Sequence, residues 1–275
     1  MAKVSQIFKN GVDSTEKYSL NIFKSILGRN LNLLKSGTSA RDTRKIIIDP
    51  RIYDLGLKGI YLTLTGVKNK VFDPDFEKYR QEVIKGAYKY VRSIPDIKDE
   101  LEIRGFRHLH EAVGAPNRKN LSAPETLYRI LNRNGDIPHI NLLVDIYNTK
   151  SVKYKLAIGA HDWDKIDGNV NLRFTNGSEK FIPLGEHEPK HIRAGEYSYI
   201  DDSNEIICYL EVRQIDKTKV TLDTKDVFFV IQGNEITPYS YIEQVTNELI
   251  LLVKKYCGGK VNRIGAVSGK VKKRN

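Results

Sequence analysis

Between Pro138 and Gly168 the chain sets Asn141, Asp145, Tyr147, Asn148, His161, Asp162 and Asp164 among apolar residues. None of these is a strong nucleophile. No Gly-x-Ser-x-Gly elbow, phosphate-cradling loop or cysteine motif accompanies them. Polar groups of these types set into apolar segments make a site candidate. Cys208 and Cys257 lie far apart, and His108 and His110 have no partners at a metal-ligand spacing, so metal-free and cofactor-free chemistry is expected. The residue types alone fit a plainer role equally well, because most buried polar groups are hydrogen-bonded parts of the framework.

The elements that would position these groups begin with the apolar run Leu142, Leu143, Val144 and Ile146, which reads as a buried strand. A glycine-containing turn follows. The order is specific: Ile140-Asn141-Leu142-Leu143-Val144-Asp145-Ile146-Tyr147-Asn148, then Ala160-His161-Asp162-Trp163-Asp164-Lys165-Ile166-Asp167-Gly168, then Asp223-Thr224-Lys225-Asp226-Val227. These motifs resemble the tRNA-editing module (the B3/B4 domain) of the phenylalanyl-tRNA synthetase β subunit, in register, over about Ser122 to Gly258. The resemblance implies an α+β fold of mixed sheets and packed helices. It also implies hydrolysis of the ester that joins a wrong amino acid to tRNA.

Carried over by position, the resemblance marks Asn148 and Asp162 as candidate catalytic residues; His161 stands where the synthetase turn usually has an aromatic residue, and joins them because a neutral imidazole beside Asp162 can position a water. Asn141 and Asp145 would brace the site. Tyr147, Gly159, Glu188, Arg213, Gln214 and Thr218 would contact substrate. Two positions depart from the synthetase module: a histidine there is Gly159 here, and a glutamate there is Val230 here. Both help that module read tyrosine, so tyrosine is not expected as the edited residue. The chain is similar instead to free-standing relatives that act in trans on mischarged tRNA, canavanyl-tRNA deacylases among them. For a guanidinium-type side chain the carboxylates Asp162, Glu186, Glu188 and Glu211 are available. A non-catalytic tRNA-binding accessory protein of the same fold is the alternative, and a small-molecule hydrolase or ligand-binding protein the third.

Charge fits a polyanionic partner. The 275 residues carry a formal net charge of +11, and the excess is concentrated at the ends. Lys260, Arg263, Lys270, Lys272, Lys273 and Arg274 are therefore expected tRNA contacts, and the resemblance adds Lys219, from the connection that in the family lies beside the editing pocket. No apolar run approaches the ~20 residues of a membrane span. The start of the chain does not read as a secretory signal, and a cytoplasmic protein is expected.

Four segments are expected: a basic N-terminal extension (1–44, with an amphipathic helix over Ser19–Leu34), an α/β part (45–121), the editing core (122–258) and a basic C-terminal tail (259–275). Lys45–Ile48 and Gly59–Gly66 read as strands, Asp73–Ser93 as a helix, and Arg104–Leu121 as a loop. Ser122 and Ser240 read as capping boxes, each opening a helix. Val170–Phe174, Ile206–Val212 and Val227–Ile231 read as strands. Asn176-Gly177 reads as a hairpin turn, Glu186-His187-Glu188 as a solvated turn, and the stretch after Val212 as a hairpin tip.

Overall fold

A computed structural model describes residues 43–267. Two sheets organise them. The first has the order β1 (Ile46–Ile48), β4 (Val170–Phe174), β5 (Tyr197–Asp201), β6 (Ile206–Tyr209), β7 (Arg213–Gln214); β1 runs parallel to β4 and the other pairs are antiparallel. The second is antiparallel, with the order β3 (Ala157–Asp162), β8 (Val227–Gly233), β2 (Lys58–Thr65), β9 (Lys260–Val267). Five α-helices complete the described residues: α1 (Pro74–Ser93), α2 (Leu101–Ala112), α3 (Ala123–Asn134), α4 (Leu142–Tyr154) and α5 (Tyr239–Cys257). The fold is α+β, as the sequence predicts.

Period-two side-chain alternation explains the layering. On one face of the second sheet, Tyr61, Phe228 and Val230 pack with Leu172, Tyr199 and Ile207 of the first. On the other face, Ile60, Leu62, Phe229 and Ile231 pack with Leu143 and Ile146 of α4 and with Val245 and Leu249 of α5. Every residue of β8 is buried, because the strand is covered on both sides. A smaller cluster joins Ile84 of α1, Ile103 of α2, Leu131 of α3 and Val152 of α4.

The largest departure from the sequence reading is at the central motif. Leu142–Tyr154 is a helix, α4, and not a strand. Asn141 is its N-cap, accepting from the Val144 amide at 3.1 Å. Ten of its thirteen residues are buried. A helix enclosed on nearly all sides shows no amphipathic stripe, so its apolar run mimics a strand.

Arg104–Leu121 departs as well: its first half belongs to α2. Gly105 interrupts the helical pattern, yet a Cβ there would meet Asn234 Oδ1 at 2.1 Å. Glycine lets the helix approach closely enough for Asn234 Nδ2 to donate to the Glu102 carbonyl at 2.8 Å. Neither capping box forms. Ser122 precedes α3 without a side-chain cap bond, and Glu125 is taken by Arg107 and Arg129. Pro238, not Ser240, caps α5.

Asn176-Gly177 turns inside a long excursion between β4 and β5 rather than joining paired strands. β6 ends at Tyr209; Leu210 takes a positive φ of 50°, and Arg213-Gln214 returns to pair with β6. Lys260–Val267 is the strand β9, bound along β2, and not a loose tail. The basic extension and its helix over Ser19–Leu34 lie outside the described residues, as do Lys270, Lys272, Lys273 and Arg274.

Candidate functional site

β3 is an edge strand of its sheet, and a cavity of about 450 Å³ opens beside it. Helical spacing puts Val144, Tyr147 and Asn148 of α4 on one wall. Strand alternation brings Ala157, Gly159 and His161 of β3 to another. Tyr199, Cys208 and Glu211 close the back; Leu184, Arg213, Gln214 and Lys219 complete the lining. Two motifs separated in sequence therefore converge on one space.

His161 is 2 % exposed and stacks on Phe228, with ring centroids 6.2 Å apart. Its Nδ1 faces the Thr218 hydroxyl at 2.8 Å. Burial with no carboxylate beside the ring pushes its pKa down to about 4, so the imidazole is neutral. Asn148 is half-buried, and its side chain makes no hydrogen bond to another described residue. Its amide is available to something in the cavity. Gly159 is also open: a Cβ there would meet nothing within 4 Å.

The other expected residues are placed elsewhere. Asp162 does not line the cavity. Its carboxylate accepts from Thr224 Oγ1 at 2.7 Å and from the Asp164 amide at 3.1 Å, which fixes the turn after β3. Thr218 is fully buried behind His161. Besides capping α4, Asn141 accepts from Asn69 Nδ2 at 2.9 Å and donates to the Val220 carbonyl at 3.3 Å. Asp145 accepts from the Ile140 amide at 2.9 Å and lies 2.8 Å from His139 Nδ1. Glu188 is exposed and outside the lining. Lys219 borders the cavity and pairs with Asp216 at 3.0 Å; Lys260 and Arg263 sit on β9, far along the sheet order from β3.

Glu211, Tyr199 and Cys208 line the cavity although they are outside the motifs. Glu211 anchors a buried polar chain. His110 Nε2 lies 2.6 Å from Glu211 Oε1; Tyr197 Oη and Gln232 Nε2 donate to Oε2, the latter at 3.0 Å. Tyr199 Oη donates to Gln232 Oε1 at 2.5 Å and lies 3.3 Å from Tyr61 Oη. The other nitrogen of His110, Nδ1, faces the Asn120 carbonyl at 3.1 Å. Both ring nitrogens face oxygen atoms that can accept, an environment that favours the imidazolium form. Burial pushes the His110 pKa down, and the charge and hydrogen bond of Glu211 more than reverse this. No sequence signal joins His110 to Glu211, 101 residues apart. Cys208 is not a nucleophile here, since burial and the Glu211 charge hold its thiol far above the usual range. Elsewhere Asp167, Asp201 and Glu205 gather within 4.8 Å, but Lys217 Nζ already sits 2.8 Å from Asp167 and from Glu205.

The family model of the B3/4 domain matches residues 108–258, more than half of the chain. The chain belongs to the B3/4 domain family. The matched stretch contains α3, α4, β3 to β8 and α5, and so every residue that lines the cavity. A phenylalanine–tRNA ligase β subunit from Wolbachia sp. subsp. Brugia malayi is 31% identical over 112 residues. That alignment covers 41% of this chain and 14% of the ligase subunit, so the chain spans a small part of that relative. Among solved structures, an N-terminal fragment of the phenylalanyl-tRNA synthetase β subunit from Pyrococcus horikoshii matches with a TM-score of 0.44 at 16% identity. The match covers 83% of this chain and 53% of the fragment.

Proposed function

We propose that this B3/4 domain protein is a trans-acting aminoacyl-tRNA deacylase that hydrolyses the ester of a mischarged tRNA with a positioned water. The observation that carries the reading is the convergence of Asn148 and His161 on one cavity, the first with a free amide and the second held neutral. An imidazole of pKa about 4 is a weak proton acceptor, so it orients the water by hydrogen bonding rather than by taking its proton. The ester is intrinsically labile, and orientation with oxyanion stabilisation suffices for it. Asn148 supplies the donor to the oxyanion. Asn141, Asp145, Asp162 and Thr218 hold the two walls in place, and Tyr147, Gly159, Arg213 and Gln214 contact the aminoacyl end. The setting is the cytoplasm, where tRNA is charged.

A second reading is a tRNA-binding accessory protein without the reaction. Its motivation is also structural: Gly159 and Val230, the two departures from the synthetase module, are direct cross-strand partners. They alter one spot of the wall together. Incubation of the purified protein with a panel of mischarged tRNAs separates the readings. Selective ester loss supports the deacylase and identifies its amino acid. Tight tRNA binding with every ester intact supports the accessory protein.

A further inference from the structure

A second cavity, also of about 450 Å³, adjoins the first, with Val212 and Arg213 in the walls of both. Its character is different. Lys119, Lys190, Arg193 and Arg213 line it, with His191 beside them and Glu196 as the one carboxylate. The cations come from distant parts of the chain: the loop after α2, the excursion between β4 and β5, and β7.

Their side chains remain accessible, at 52 % for Lys190, 60 % for Arg193 and 51 % for Arg213. Internal compensation is partial. Lys190 and Arg213 share the single carboxylate of Glu186, at 2.7 and 3.6 Å, and Arg193 pairs with Glu196 at 3.3 Å. Lys119 makes no ion pair among the described residues. The groove is thus a cationic surface with charge to spare, continuous with the reaction cavity through one arginine.

We infer that this groove binds the phosphates of the single-stranded 3′ end of an RNA whose terminal ribose enters the first cavity. Charge complementarity selects a polyanion, and the shared wall at Arg213 selects one that reaches the first cavity with its end. The Phe181 and Tyr209 rings in the groove wall are buried against each other, with centroids 6.0 Å apart, and offer no face for base stacking. Recognition here is therefore of backbone and not of base sequence. The inference rests on the deacylase reading for the identity of the occupant, and it assigns the path by which that occupant arrives.

The test is fluorescence anisotropy of the full chain with a 5′-labelled single-stranded RNA 12-mer bearing a free 3′ end, over a range of salt concentrations. The Lys119→Glu/Lys190→Glu double variant should bind at least tenfold more weakly. Its log–log salt slope should be shallower by about 1.4, at ~0.7 per lost phosphate contact on a single strand. Lys85→Glu/Lys89→Glu, two exposed positions on α1, should bind within twofold of the parent. Lys119→Gln/Lys190→Gln should fall between, showing that the loss follows charge. Equal losses in the groove and α1 variants would overturn the assignment, as would an unmodified protein that does not bind the RNA even at low salt. The outcome is independent of catalysis. Loss of RNA binding in a protein that hydrolyses no ester upholds the groove and removes the deacylase; hydrolysis with groove variants that bind unchanged does the reverse.

Discussion

Acid should weaken this protein through His161, and the size of the effect follows from its surroundings. The ring titrates at its ordinary 6.5 when the chain is unfolded and at about 4 when folded. Between those values the unfolded state binds the extra proton, so the contribution is present above pH 6.5 and is lost as pH falls. Integrating the linkage relation between pH 7 and pH 5 gives a loss of about 2 kcal/mol, reaching roughly 3 kcal/mol below pH 4. His110 opposes this. Its folded pKa is raised, so it contributes stability that is full below its unfolded value and is lost as pH rises through the folded one.

The two histidines are separated by comparing the parent with His161→Gln, which keeps a hydrogen-bonding group near Thr218 and cannot titrate. The contribution of His110 is common to both proteins and cancels. Urea unfolding at pH 7, 6 and 5 should show the parent losing about 2 kcal/mol more than the variant, which is a midpoint difference of roughly 1 M for a slope near 2 kcal/mol/M. Losses equal within about 0.5 kcal/mol would refute the argument from burial. The same neutrality predicts that deacylation in the parent shows no inflection near pH 6.5.

Asn148→Ala should lower deacylation about 100-fold, the usual cost of one oxyanion donor, while tRNA affinity stays within twofold in a filter-binding assay. Its stability should change by less than about 0.5 kcal/mol, because the side chain has no described partner to lose. Gly159→Leu places a side chain in open space beside Val230 and should leave the thermal midpoint nearly unchanged; esters of large amino acids should then react much more slowly relative to those of small ones in competition assays. Asn141→Ala removes the cap of α4 and two further hydrogen bonds, and should cost about 2 kcal/mol in urea unfolding, with the activity of the remaining folded fraction retained.

Strands with exposed neighbours or clear flanking turns were legible in the sequence: β1, β2, β4 and β8 lie where apolar alternation and turn residues put them. So was α1, whose Asp73 cap accepts from the amides of Asp75 and Phe76. What hid α4 was its enclosure. Once every face is apolar, the 3.6-residue period disappears, and only the Asn141 cap remained as a helix signal. The motifs located two walls of the cavity, because Asn148, Gly159 and His161 lie on neighbouring segments. The back wall was not legible, since the environment of Glu211 is made by His110, Tyr197 and Gln232, three residues that only the fold brings together. Asp162 shows the converse. An acid beside a histidine in sequence points away from it on a strand, and here the carboxylate serves its own turn.

The pairing of β8 with β2 separates the part of the chain that can be recognised from the part that can stand alone. The recognisable stretch, 108–258, includes β3 and β8 but neither β2 nor β9. Cut at those limits, β8 would lose the partner it holds from Leu64↔Val227 to Lys58↔Gly233 and would present a bare, largely apolar edge. Such an edge invites strands from other molecules. β9, in turn, covers the far side of β2. A soluble fragment of this protein must therefore run from β1 through β9, and shorter pieces chosen by motif alone should associate through the strand they expose.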